Sequence, residues 1–130
     1  MTDFSSPIAD SLRRYRQGDR DGAFVGLLEE SHDVLPELMA AFRSKADRRV
    51  QAFLVEVIWQ YRQQSVIPFL GEALRSPEPL IWKQALDGLV ALASPAALEV
   101  LRSARQSAAG EFCAWLDEAI EQAQQQTPKA

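Results

Sequence analysis

The sequence predicts an all-α fold, a right-handed solenoid of about eight helices arranged as hairpins. Apolar residues recur with helical spacing through most of the 130 residues, and no run alternates for long with the period of two that a strand shows. A segment also returns at an offset of 32 residues, which relates Val34-Leu35-Pro36 to Val66-Ile67-Pro68 and Phe42-Arg43-Ser44 to Leu74-Arg75-Ser76. Units of this length stack on one another because a single unit cannot bury its own apolar face.

The first two predicted helices, over 7–17 and 19–30, form an N-terminal capping hairpin within residues 1–32. Ile8, Leu12 and Tyr15 lie on one stripe of the first helix. Gly22 and Gly26 lower the helix propensity of the second helix. This hairpin is therefore expected to cap the stack or to act as a divergent repeat.

Repeat 1 covers 33–63 and repeat 2 covers 64–94, and each is a pair of helices. The predicted helices run over 33–44 and 46–62, then over 66–75 and 80–93. Pro36 lies in a first helical turn, where proline is tolerated. In the second helix of repeat 1, apolar residues recur at spacings of three and four: Val50, Phe53, Leu54, Val57, Ile58 and Tyr61.

A third, degenerate repeat covers 95–125, with helices over 96–107 and 110–125. Ser94 is expected to cap the first of these and Pro95 to occupy its first position. The polar tail, 126–130, should fray. We expect one domain over 1–130 whose core contains Leu38, Phe42, Phe53, Leu54, Val57, Leu70, Leu74, Leu86, Leu89, Leu101, Leu116 and Ile120.

Two sequence features resemble the short variety of HEAT-like repeats. The first helices of repeats 1 and 2 have an early Pro-x-Leu, and the second helices have apolar positions three and four residues apart. The segment Lys45-Ala46-Asp47-Arg48-Arg49-Val50 comes nearest to the Asp and Val-Arg hallmarks of these repeats. The resemblance covers about 33–123, and it implies that the second helices line a concave surface. It also implies a protein of the bacterial adaptor or toxin-immunity type.

The sequence indicates no catalytic, metal or cofactor site. His32 is the single histidine, so neither a histidine-based triad nor a two-histidine metal site can form, and a loop role beside Asp33 is expected. Gly22-x-x-x-Gly26 lacks the Lys-Ser/Thr of a phosphate loop and suits close helix packing. Adjacent acids such as Glu29-Glu30 point about 100° apart on a helix, as solvated residues do.

Composition narrows the class of partner. The net charge is -4 and the pI is about 5.0, whereas nucleic-acid-binding proteins carry a basic surface. Cys113 stands alone, so no disulfide framework is expected. Neither a signal peptide nor a membrane span is recognisable, which predicts a cytoplasmic protein with no membrane partner.

The candidate binding residues are those of the second helices that point away from the apolar stripe. Five carboxylates and Arg49 should share one concave surface, with Trp59 at one end. Such a surface suits a basic protein partner. Two alternatives stay open, since the acids could be ordinary solvated residues, and Trp59 and Val55 could be buried against the N-terminal hairpin. The predicted partner-binding residues are Glu56, Trp59, Gln84, Asp87, Asp117, Glu118 and Glu121.

Basic residues gather near the N-terminus and at the turn of repeat 1: Arg13, Arg14, Arg16 and Arg20, then Arg43, Lys45, Arg48 and Arg49. Interleaved acids, Asp10, Asp19, Asp21 and Asp47, favour local ion pairs over a polyanion site. Trp82 and Trp115 fall on the apolar stripe and are expected in the core.

The predicted function is a non-catalytic protein-binding module. The HEAT-like resemblance implies an immunity or inhibitor protein that neutralises a basic toxin acting in the cytosol, or an adaptor. A nucleic-acid-binding protein similar to HEAT-like DNA-repair glycosylases is the first alternative, although the predicted groove is acidic. An accessory subunit or chaperone of a chromophore lyase is the second. The oligomeric state is left open.

Overall fold

The computed structural model describes residues 7–30, 32–44 and 47–126, and these ranges hold eight α-helices and no strand. Two short 3₁₀ turns, His32–Val34 and Gln64–Val66, precede α3 and α5. The predicted all-α fold is confirmed. The helices are α1 Pro7–Arg16, α2 Arg20–Leu28, α3 Leu35–Arg43, α4 Arg48–Gln60, α5 Ile67–Leu74, α6 Pro79–Leu92, α7 Pro95–Ser107 and α8 Glu111–Gln126.

Polar caps and prolines set the helix starts where the sequence placed them. The Asp47 carboxylate accepts hydrogen bonds from the backbone N–H groups of Arg49 and Val50, at 2.9 and 3.0 Å. The Ser94 hydroxyl accepts one from the N–H of Ala97 at 3.2 Å, with Pro95 at the first position of α7. The predicted start of α7 is therefore confirmed. Of the predicted tail, 127–130 lies outside the described residues, as does the side chain of His32.

The helices form two layers. The second helices of successive hairpins pack side by side, α2 on α4, α4 on α6 and α6 on α8. In the other layer α5 packs on α7, and the rings of Phe42 and Phe69 meet edge-on at 5.1 Å between α3 and α5. Helix α1 packs mainly on α2, but its Tyr15 ring stacks on Phe53 of α4 at 4.4 Å. The Tyr15 hydroxyl donates a hydrogen bond to the backbone oxygen of Arg49 at 3.3 Å.

The predicted core is confirmed at every position except Ile120, which is only partly buried. Val55, whose burial against the N-terminal hairpin was one of the open alternatives, is fully buried, and it lies one turn before Trp59 on the side of α4 that faces α6. The prediction that Trp115 lies in the core was wrong, because the residue is 37% exposed, with its ring edge-on to Trp82 of α6.

The predicted local ion pairing is confirmed for Arg13 and Arg20, whereas Arg43 and Arg48 pair with acids of the next repeat. Arg13 pairs locally with Asp10 at 2.8 Å, and Arg20 approaches Asp21 at 3.8 Å. Asp19 and Asp47 cap helices instead. Lys45 lies outside the described residues. The pairs that join successive hairpins are Arg20–Glu56, Arg43–Glu72 and Arg48–Glu78.

Within the described ranges, every helix falls short of the length and hydropathy that a membrane crossing requires.

Candidate functional site

The candidate site is the solvent side of α4, α6 and α8, which we call the second-helix face. All seven predicted residues lie on these three helices. The structure divides them into a cluster between α4 and α6 and a separate set on α8. The cluster holds Glu56, Trp59, Gln84 and Asp87, and the α8 set holds Asp117, Glu118 and Glu121.

Two carboxylates, Glu56 on α4 and Asp87 on α6, come close together on this face. Glu56 is ion-paired with Arg20 from the start of α2. Asp87 is exposed, and in the described part of the chain it has no ion-pair partner. Desolvation of the carboxyl, and then the negative charge of Glu56, raise the pKa of Asp87. A cation supplied from outside would therefore be stabilised at Asp87.

Trp59 belongs to the seam between α4 and α6. A Cβ atom at position 88 would come 2.7 Å from Cγ of Trp59, so the indole packs directly over Gly88. Its ring N–H donates to Oε1 of Gln84 at 3.4 Å, and the Arg62 guanidinium lies 5.8 Å from the ring centre. Trp59 is thus packed against the next repeat rather than against the N-terminal hairpin.

The three acids on α8 do not share one direction. Asp117 accepts hydrogen bonds from Arg105 of α7, at 2.7 and 3.5 Å, and so points toward α7. Glu121 follows one turn later on the same side of the helix. Glu118 lies three residues after Trp115, toward α6. Both glutamates are exposed, and neither forms an ion pair in the described ranges.

Two exposed apolar side chains that sequence reasoning missed also lie on this face. Leu80 is 50% exposed and precedes Gln84 and Asp87 on one line along α6. Trp115 meets Trp82 edge-on at 5.8 Å, with Nζ of Lys83 4.7 Å from its ring centre. Their exposure could not be read from helical periodicity, because both positions border the apolar stripe.

A small hollow of about 180 Å³ opens between the α1–α2 turn and the second-helix face. It brings the apolar side chain of Leu80 next to charged and aromatic groups from three other helices. The lining residues are Tyr15, Arg20, Arg49, Ala52, Phe53, Glu56, Leu80 and Gln84.

The second-helix face is more mixed in charge than the sequence predicted. Arg20 reaches it from α2 and lies 5.6 and 5.8 Å from the rings of Phe24 and Phe53. Arg62 and Lys83 lie over tryptophan rings at its edges. Helical periodicity predicted only one cation on this face, Arg49, because it identifies the residues directly opposite the apolar stripe and not those that reach the face from its edges.

Comparison with known families identifies a single type of repeat. A family model described as HEAT repeats matches residues 35–121, which is more than half of the chain. No curated protein and no solved structure matches the chain significantly.

Proposed function

The chain belongs to the HEAT-repeat family, and we propose that it is a non-catalytic protein-binding module whose second-helix face holds a basic protein. HEAT repeats generally mediate protein interactions. The observation that carries the proposal is the exposed carboxylate of Asp87, which has no ion-pair partner among the described residues and lies close to Glu56 and in line with half-exposed Leu80. A charged group next to an exposed apolar side chain is the combination that protein interfaces use.

The face offers complementary contacts for such a partner. A lysine or arginine of the partner would pair with Asp87, and an apolar side chain would cover Leu80 beside the hollow. Trp115 offers an aromatic surface at the far edge of the face, and Glu118 lies one turn away on the same helix. Aromatic groups contribute large contact areas to binding, while the carboxylates steer the encounter with a basic partner.

Within this class, the role we favour is an immunity or inhibitor protein that neutralises a basic toxin in the cytoplasm. The net charge of -4 supports a cationic target. An adaptor role uses the same face and differs only in the fate of the partner. The nucleic-acid-binding and chromophore-lyase alternatives have less support. Of the cations on the face, Arg20 already pairs with Glu56, and Lys83 lies against two tryptophan rings.

Charge reversal at two aspartates tests the proposal. We expect Asp87→Lys to slow association with the basic protein that co-purifies with the tagged chain by tenfold or more, as an order-of-magnitude estimate, because a steering charge is inverted. Asp117→Lys makes the same change in net charge at a residue that Arg105 already engages, so its effect should be much smaller. Stopped-flow association rates at low and high salt measure both, and high salt should remove the difference. An association rate for Asp87→Lys equal to that of the unaltered chain would show that the second-helix face is not the binding surface.

A further inference from the structure

A second concave surface lies in the other layer, between α5 and α7. It is a groove of about 980 Å³ with an apolar floor that includes Leu74, Trp82 and Phe112. Helix α5 has 8 residues and α7 has 13, so the last turns of α7 extend beyond the end of α5. The groove wall formed by the end of α7 and the residues after it carries small, partly exposed side chains, among them Ala104 and Ala108.

The preceding pair of first helices, α3 and α5, is joined by an arginine–glutamate ion pair that has no counterpart between α5 and α7 in the described ranges. Between α3 and α5, Arg43 donates two hydrogen bonds to the carboxylate of Glu72, at 2.9 and 2.6 Å, across a sequence separation of 29 residues. This pair closes the seam between the two helices at the end of α3. The bidentate contact also lowers the pKa of Glu72 and raises that of Arg43.

Helices α5 and α7 keep the same register. Gly71 on α5 faces Val100 on α7, because a Cβ at position 71 would lie 3.2 Å from Cγ1 of Val100, and these two residues have the same sequence separation as Arg43 and Glu72. In that register the residue opposite Arg75 is Ala104. Arg75 is the counterpart of Arg43 in the 32-residue repeat, so the third repeat has an alanine where the second has an acceptor.

Arg75 is exposed at the rim of the groove, and no acid of the described ranges accepts its hydrogen bonds. In the described part of the chain it forms no ion pair, and Glu72, the nearest acid along α5, is engaged by Arg43. Glu99 also lines the groove but makes no ion pair with Arg75 in the same ranges. The surface combines an available guanidinium with an aromatic floor.

We propose that this groove binds a segment of a partner protein that presents a carboxylate and apolar side chains. The carboxylate of a glutamate or aspartate takes the bidentate position on Arg75 that Glu72 takes on Arg43, and the apolar side chains cover Trp82 and Phe112. Arginine suits this role because its planar fork matches a carboxylate and such charge-assisted bonds are strong. The groove opens between the first helices and its charged contact is Arg75 rather than Asp87, so this proposal does not rest on the proposed function.

A glutamate placed opposite Arg75 tests the register between α5 and α7. Ala104→Glu should raise the melting temperature by about 1–3 °C, a shift on the scale of a favourable exposed ion pair. The same substitution in an Arg75→Gln background should give no such rise. An equal effect in both backgrounds would mean that position 104 does not face Arg75, and the proposal would be withdrawn.

Two matched peptides test the ligand chemistry. Both are helical peptides of about 15 alanines and leucines, one with a central glutamate and the other with glutamine at that place. The glutamate peptide should bind about tenfold more tightly, and the indole N–H signal of Trp82 should move in a ¹H–¹⁵N NMR titration. Arg75→Gln should abolish the preference, whereas Arg102→Gln, which removes an exposed arginine of α7 that does not line the groove, should keep it.

Glu99→Gln should tighten binding of the glutamate peptide, because it removes a like charge from the groove wall. Equal binding of the two peptides, binding of neither, or signal changes confined to α4 and α8 would each overturn the proposal. None of these results would alter the expected effect of Asp87→Lys on a basic partner, so the two proposals can fail separately.

Discussion

Two seams of the second-helix layer, the first between α4 and α6 and the second between α6 and α8, each place a tryptophan between neighbouring helices, but the two seams close differently. Trp59 on α4 packs over Gly88 of α6, where the absent side chain leaves room for the indole. At the next seam Trp82 meets Trp115 at 5.8 Å, and Trp115 remains 37% exposed. Trp59 is a packing residue between repeats, whereas Trp115 presents a surface that is available to a partner. Whether a tryptophan in a repeat protein has a packing role or a binding role therefore depends on the residue that faces it on the neighbouring helix.

The largest expected effect comes from Leu86, because α6 takes part in both seams. Leu86 is 3% exposed, and Leu86→Ala should lower the free energy of unfolding by about 2–5 kcal/mol. Urea denaturation gives this value, with Leu80→Ala on the exposed side of the same helix as the control. A loss below about 0.5 kcal/mol at Leu86 would show that the assigned core register is wrong.

Replacing Trp59 should mainly lower stability, whereas replacing Trp115 should mainly weaken binding. Trp59→Ala removes a half-buried ring from the first seam and should cost about 2 kcal/mol of stability, roughly half of what a fully buried ring costs. Trp115→Ala should cost less stability but should raise the dissociation rate of the basic partner about tenfold or more. If the two variants show the opposite order in both measurements, Trp59 is the anchor and the comparison fails.

Gly88→Ala tests the close contact in the first seam directly. The added Cβ would lie 2.7–2.9 Å from three atoms of Trp59, which should cost about 1–3 kcal/mol, partly offset by a gain in helix propensity of up to about 1 kcal/mol. Gly71→Ala is the control, because there the near atoms are methyl groups of Val100 that can rotate. In a Trp59→Ala background the cost of Gly88→Ala should disappear, and an unchanged cost would place the strain elsewhere.

The smallest expected effect concerns Asp87 and pH. Its folded-state pKa is raised, so the deprotonated form is less favourable in the folded state than in the unfolded state, and stability is lost as pH rises through the folded-state pKa. Asp87→Asn should therefore stabilise the protein at pH 7 by about a few tenths of a kcal/mol, since the side chain is exposed. The gain should vanish below the unfolded-state pKa of an aspartate, about 3.9. Thermal unfolding of both proteins at pH 7 and pH 3 measures it, and a gain that persists at pH 3 would have another cause.

The sequence predicted the helices and most of the core because these depend on signals within one helix. Ser94 and Pro95 mark a helix start locally, and the spacing of Leu86 and Leu89 marks a buried stripe. The candidate face could be predicted only in part. Periodicity places Asp117 and Glu118 about 100° apart, but it does not say that α7 supplies Arg105 to the first of them.

The groove between α5 and α7 could not be predicted from either helix alone. It depends on the difference in length of the two helices and on the register between them, which Gly71 and Val100 reveal only in three dimensions. The exchange of Glu72 for Ala104 was present in the sequence. Its meaning required knowing that position 104 lies opposite Arg75 across the groove, which the contact between Gly71 and Val100 indicates.

The way the N-terminal hairpin is attached has a consequence for the order of events during synthesis. Tyr15 binds the backbone of Arg49, Arg20 binds Glu56, and Tyr61 donates to the backbone oxygen of Leu27, across separations of 34 to 36 residues. Helices α1 and α2 leave the ribosome before α4, so each of these partners emerges later than the hairpin. The hairpin must remain undocked until α4 has been made, because it is translated before its docking partners and cannot reach its final position until they emerge. A ribosome stalled before position 49 should therefore display α1 and α2 as accessible to protease, and one stalled well beyond position 61 should display them as protected.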